Sequence, residues 1–171
     1  MNSEVQKEDY FVSNAGLTIV AYFLPQLFDA LKLTLYKEFI SDQAAIRAIL
    51  LTQYLISGKM SFQEHDLILT KAICGVDPER SLPKSLKVAL QETEEVERML
   101  KAVIRNWNVL GNTSIEGLRE SFLIRAGRLA ETEKSWTLKM ESKAIDVLLA
   151  RIPWSISLIK LPWMKKIMYV E

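Results

Sequence analysis

One cysteine, one histidine and a net charge of +1 in 171 residues exclude a good deal before any motif is sought. Cys74 alone cannot form an internal disulfide. With His65 the only histidine, the common His and Cys zinc sites lack ligands. A Cys–His nucleophile pair fails as well: nine positions apart on one helix, the two stand on different faces, about 13.5 Å apart along the axis. Lys and Arg total 22 against 21 Asp and Glu, so no general field favours nucleic acid or an anionic membrane. The most apolar stretches, 17–24, 48–56 and 152–164, fall short of the roughly 18–20 residues of a membrane span. The start MNSEVQKEDY is too polar for a secretory signal, and folding in the cytosol is expected. No GxxxxGK(S/T) loop, GxGxxG turn, GxSxG elbow or HExxH helix occurs.

What is present is a composition of 49% hydrophobic, 25% charged and 9% aromatic residues, which fits one globular domain with a sizeable core. Residues 1–13 read as a loose polar lead-in. Leu17, Val20, Ala21, Leu24, Phe28 and Leu31 follow helical spacing, and Pro25 should kink that helix or open a second one. Ser41 or Asp42 caps the next helix, with Ile46, Ile49, Leu50 and Tyr54 on its apolar face and Gly58 at its end. Ser61 with Glu64 forms a capping-box pattern before a helix ending at Gly75. Residues 75–87 contain two prolines and read as a surface loop. A long helix over about 92–110 places Val96, Met99, Leu100, Val103, Trp107 and Leu110 on one face, and Gly111 stops it. Thr113 with Glu116 repeats the capping pattern before a short helix to about Arg125.

After Gly127 the period changes to two. Trp136, Leu138 and Met140 alternate with Thr137, Lys139 and Glu141, and with residues 128–130 they predict a β-hairpin. Residues 144–150 fit a short helix or a buried strand equally well. The tail RIPWSISLIKLPWM, residues 151–164, repeats a Pro-Trp pair around a strand candidate at 156–160, with another at 167–170; each proline removes a ladder donor. The expected fold is α+β, mostly α: about five helices in a layer with a small C-terminal sheet, organised as a helical part 14–126 and a β-rich part 127–171 packed into one domain.

The residues offer little catalytic chemistry. His65, among Phe62, Leu69 and Ala72, reads as a packed or edge histidine, and Cys74 as a small buried apolar group. Glu92, Glu94, Glu95 and Glu97 open the long helix, where its positive dipole end favours carboxylates. Arg151, Lys160, Lys165 and Lys166, interleaved with Trp154 and Trp163, are too few for a convincing nucleic-acid strip. Burial of the two tryptophans in a core and burial in an interface are equally good accounts of that stretch.

Taken together, NAGLTIVAYFLPQLF (14–28), LTQYLISG (51–58) with EHDLILTKAICG (64–75), VIRNWNVLGNTSIEGLRESFLIRAGRL (103–129) and DVLLARIPWSISLIKLPWM (146–164) resemble the C-terminal domain of contractile injection system tape measure proteins. The resemblance implies a non-enzymatic structural part of a phage-tail-like particle, assembled in the bacterial cytoplasm, in some cases released from the cell, and needing no cofactor or metal. Its partners would be inner tube, terminal cap or baseplate hub proteins, with a ring of copies in keeping with six-fold tubes and three-fold spikes, and without nucleic acid or membrane insertion. A ruler works by extended length. An unbroken helix of 171 residues would reach only about 257 Å, and a compact fold spans roughly 30–35 Å. The expected role is therefore that of a docking domain, as an adaptor at the tube end if Met1 is the true start or as a piece of a longer protein, with a cargo-binding adaptor as the alternative. Pro153, Trp154, Pro162, Trp163 and Met164 are the interface candidates, with Arg119 and Arg125 behind them.

Overall fold

The computed structural model describes residues 5–171. In chain order the elements are β1 (Glu8–Val12), α1 (Leu17–Val20), α2 (Leu24–Ala30), β2 (Thr34–Leu35), β3 (Glu38–Phe39), α3 (Asp42–Ser57), α4 (Ile68–Ile73), α5 (Leu90–Asn106), α6 (Ile115–Leu118), β4 (Gly127–Glu131), β5 (Ser135–Met140), β6 (Leu158–Ile159) and β7 (Ile167–Val170). The expected α+β class is the one observed. Five strands form a mixed sheet in the order β1-β4-β5-β7-β6, antiparallel except for the parallel β5–β7 pair, while β2 and β3 form a separate hairpin.

Strand alternation explains how the layers meet. Leu129, Trp136, Leu138, Ile159 and Met168 point inward and share one core with Leu24, Phe28, Ile49, Leu55, Leu100 and Phe122 from the helical layer. The opposite face of the sheet carries Phe11, Arg128, Lys139, Leu158 and Tyr169, all exposed. Among the described residues the sheet is thus covered by helices on one side only, as antiparallel pairing allows.

Local chemistry sets most boundaries where the spacing predicts them. Pro25 stands in the first turn of α2, preceded by a 3-10 turn at Ala21–Phe23, so it opens a second helix. The Ser41 hydroxyl accepts a 3.1 Å hydrogen bond from Ala44 N–H, and Gly58 closes α3 at φ 71°. α5 presents Val96, Met99, Leu100 and Val103 to the core, as expected, but it ends at Asn106, so Trp107 caps it and Leu110 lies in a separate 3-10 turn, Asn108–Leu110, rather than on the same helix.

Several expectations are corrected. Residues 8–12 of the assumed lead-in are β1, paired along its whole length with β4; Tyr10 and Val12 supply inward apolar contacts that the surrounding charges obscure. The two later caps lie one or two residues further on. Asp66 accepts from Gln63 N–H at 2.8 Å, in place of the Ser61–Glu64 box, and Ser114 rather than Thr113 accepts from Gly117 N–H. The segment left open between helix and strand is a 3-10 helix, Ala144–Arg151.

Candidate docking surface

The two Pro-Trp corners occupy different surroundings. At the first, Pro153 is exposed and Trp154 half-buried. The Trp154 ring meets Phe23 edge-on at 4.9 Å and Trp107 at 6.5 Å, a geometry aromatic quadrupoles favour. Its Nε1–H donates to the Ile19 carbonyl at 2.8 Å. Ile19 lies in α1, whose last carbonyls have no partner within the helix. Trp107, fully buried, makes a comparable bond from Nε1–H to the Leu148 carbonyl at 3.0 Å. These indoles pin short helical segments as well as filling volume.

At the second corner Pro162 is again exposed, and Trp163 sits half-buried between Phe28 at 5.4 Å and Phe39 at 4.9 Å. Its Nε1–H donates to the carbonyl of Ile73, the last residue of α4, at 2.9 Å. Gly75 is required here twice over. Its φ is +72°, and a Cβ would stand 2.4 Å from the Trp163 carbonyl oxygen, closer than real contacts allow. Met164 is buried, with its sulfur accepting from Leu161 N–H at 3.2 Å.

Beside Trp163 projects the β2–β3 hairpin. Its two turn residues, Tyr36 and Lys37, have φ of 51° and 67°, the left-handed values that a two-residue turn needs to match strand twist. Neither is Gly or Asn, so the turn carries backbone strain of about 1 kcal/mol or more per residue. Phe39, packed on Phe28 and Trp163, and the Ile40 N–H to Leu33 carbonyl bond of 3.0 Å anchor it. Above the anchor Tyr36 is 90% exposed, with Leu35 and Ile40 also open to solvent. Pro25, Gln26, Asp29, Thr34, Lys37, Pro162 and Trp163 line a shallow depression of about 260 Å³ at its base. Sequence reasoning missed Leu35, Tyr36 and Ile40. The available signal was five large apolar residues within KLTLYKEFI, these three among them, but without Gly or Asn the hairpin pattern is silent.

Structure and sequence part company over three interface candidates. Met164, Arg119 and Arg125 are buried, with exposures of 3%, 8% and 2%. Arg119 donates from Nε to the Leu55 carbonyl at 2.9 Å and pairs with Glu116, tying α6 to α3. Arg125 donates to the Ser121 carbonyl at 3.2 Å and stands 2.9 Å from Asp146 Oδ1. Burial opposes ionisation of Asp146, but the Arg125 guanidinium and the Lys143 N–H outweigh it and hold the carboxyl below the ordinary value of 3.8. Both arginines are buried and directed at acceptors of their own chain, with Arg125 Nε left without a hydrogen-bond partner. The surface group reduces to Pro153, Trp154, Pro162 and Trp163, and the structure adds Leu35, Tyr36 and Ile40 beside the last two.

The residues considered for chemistry are dispersed. Cys74 is buried, which pushes its thiol well above the ordinary range. His65 is exposed, 3.4 Å from Asp66. Glu92 accepts from Ala89 N–H at 2.9 Å and pairs with Arg47, which hold it below the usual carboxylate range against its burial. Glu94 and Glu97 face solvent. Among the described residues no group of three His, Cys, Asp or Glu is placed to hold a metal ion, and no helix is long and apolar enough to cross a membrane.

Among the described residues the sheet is covered by helices on one face, and from the helical layer a hairpin projects with Leu35, Tyr36 and Ile40 open to solvent. The chain belongs to the contractile injection system tape measure protein family, whose model matches residues 1–171. Its role is structural, as a component of an injection particle that interacts with other parts of that particle. No curated protein and no solved structure gives a significant match to the chain.

Proposed function

We propose that this chain is a non-enzymatic docking domain at an end of the particle's tube, an adaptor joined to the terminal cap or the baseplate hub through the hairpin and the second Pro-Trp corner. The observation that carries this reading is Tyr36, 90% exposed at the tip of a hairpin whose base is fixed by Phe39 and Trp163. A rigid aromatic on a pre-formed turn loses little entropy on binding, which is how interface anchors gain affinity. A compact fold contributes attachment, not measured length. Assembly with the tube would take place in the bacterial cytoplasm, with the chain carried in the finished particle.

Imaging particles from cells lacking the chain tests this. Tubes with a missing or disordered end, restored by the wild-type chain but not by a folded Tyr36→Ala, Leu35→Ala double variant, are the expected result. Particles of normal length with both ends intact in its absence would overturn it.

A further inference from the structure

Among the described residues the hydrogen-bond pattern leaves both edges of the five-stranded sheet open. Val170 N–H donates to the Ser157 carbonyl at 2.9 Å, so by antiparallel alternation Ser157 and Ile159 turn toward β7. The N–H and C=O of Leu158 and Lys160 therefore turn outward. At the other edge Glu141 N–H donates to the Ala126 carbonyl, which turns Arg128 and Ala130 toward β5 and Leu129 and Glu131 toward β1. Tyr10 and Glu8 lie opposite those two, so the backbone groups of Asp9 and Phe11 point away from the sheet.

These edges are complementary. Successive register pairs run from Leu158 through Tyr169, Thr137 and Ala130 to Asp9, so Leu158, Lys160, Asp9 and Phe11 all project from the helix-free face. Phe11 is 75% exposed and Leu158 48%. The β1 edge carries Glu8 and Asp9, whereas residues 147–170 contain no acid and include Arg151, Lys160 and Lys165, all exposed. Three antiparallel steps and one parallel step separate β1 from β6, so the two run in opposite directions.

We propose that the sheet continues from copy to copy, the β6 edge of one chain adding antiparallel to the β1 edge of the next. One register satisfies both faces of the argument: Leu158 opposite Phe11 places apolar on apolar, and Lys160 opposite Asp9 places cation on anion. The outward N–H and C=O groups of these same four residues supply the hydrogen bonds. Asp9 already lies 3.3 Å from Arg128, and Lys160 donates to the Met164 carbonyl; a carboxylate accepts several bonds and an ammonium donates three, so each has capacity left. Pairing like edges would set Lys160 and its cationic neighbours, or Glu8 and Asp9, near their own kind. A head-to-tail contact of this sort closes into a ring or runs on as a filament.

Proline at each edge tests the proposal, because Phe11→Pro and Leu158→Pro remove only an outward donor, the kind of position where an edge strand accepts proline. The purified full chain is examined by sedimentation, with circular dichroism as the check on folding. Wild type is expected to self-associate, each variant alone to be monomeric, and an equimolar mixture to give twice the monomer mass through the two intact edges. A wild-type chain that stays monomeric at its highest soluble concentration overturns the proposal. So does either variant dimerising alone, which would mean that like edges pair. If a proline variant does not fold, the charge reversals Asp9→Lys and Lys160→Glu replace it: each alone should abolish association, and the two reversals in one chain should restore it. Unchanged association in both single reversals overturns the proposed register.

Discussion

The two Pro-Trp corners have the same residues and the same indole-to-carbonyl bond, yet they hold different things. Trp154 closes on Phe23 and Trp107 and ties the tail to α1. Trp163 closes on Phe28 and Phe39 and ties the tail to α4, directly beneath an exposed hairpin. The first corner is an internal staple. The second is a pedestal, and in the proposed docking the residues offered to a partner are those it supports. A repeated motif thus marks repeated attachment to the helical layer, while exposure of its neighbours separates the roles.

Removal of each indole has the largest expected effect. Trp154→Ala and Trp163→Ala should each destabilise by about 3 kcal/mol, from lost burial and a carbonyl left without its donor, measured by denaturant unfolding. The comparison sharpens in hydrogen exchange: only Trp163→Ala should also speed exchange at Ile40 N–H, which bonds Leu33 at the hairpin base. Equal exchange there in both variants would remove the distinction between the corners.

Next in size is Gly75→Ala, which forces a Cβ against the Trp163 carbonyl at positive φ. About 2 kcal/mol of destabilisation is expected, with the second corner displaced and the Trp154 environment retained by tryptophan fluorescence or NMR.

Acid should loosen the first corner before the second. Asp146, on the 3-10 helix that leads to Trp154, is held ionised by Arg125 below its ordinary value of 3.8. Because the folded value is the lower one, this stabilisation is fully present above the unfolded value and is lost as pH falls through the folded value. Asp146→Asn should cost about 1–2 kcal/mol at neutral pH and flatten the acid limb of stability against pH. An unchanged acid limb would show that the pair contributes nothing. The smallest effect on stability belongs to Tyr36→Ala, within about 0.5 kcal/mol of wild type, because the ring touches mainly solvent.

Legibility in the sequence followed the strength of local signals. The period-two run at 135–140 is fixed by nearest neighbours and could be read directly, whereas the spacing narrows the cap only to Ser41 or Asp42 and Pro25 to a kink or the opening of a second helix. β1 could not be read at all, since five residues, two of them charged, acquire strand character only by pairing with β4, far along the chain. Arg119 and Arg125 looked like surface cations because a sequence does not record that Leu55, Ser121 and Asp146 converge on them. Of the candidate surface, the Pro-Trp repeat was visible, whereas the hairpin that gives the second copy its meaning uses Tyr and Lys where turn rules expect Gly or Asn.

The most direct measurement is a density map of the intact particle with this chain placed in it. The account predicts that another component covers Tyr36, Leu35 and Pro162, while the Trp154 indole touches only its own chain. A map in which the hairpin is uncovered and the partner rests on the Trp154 corner would contradict it.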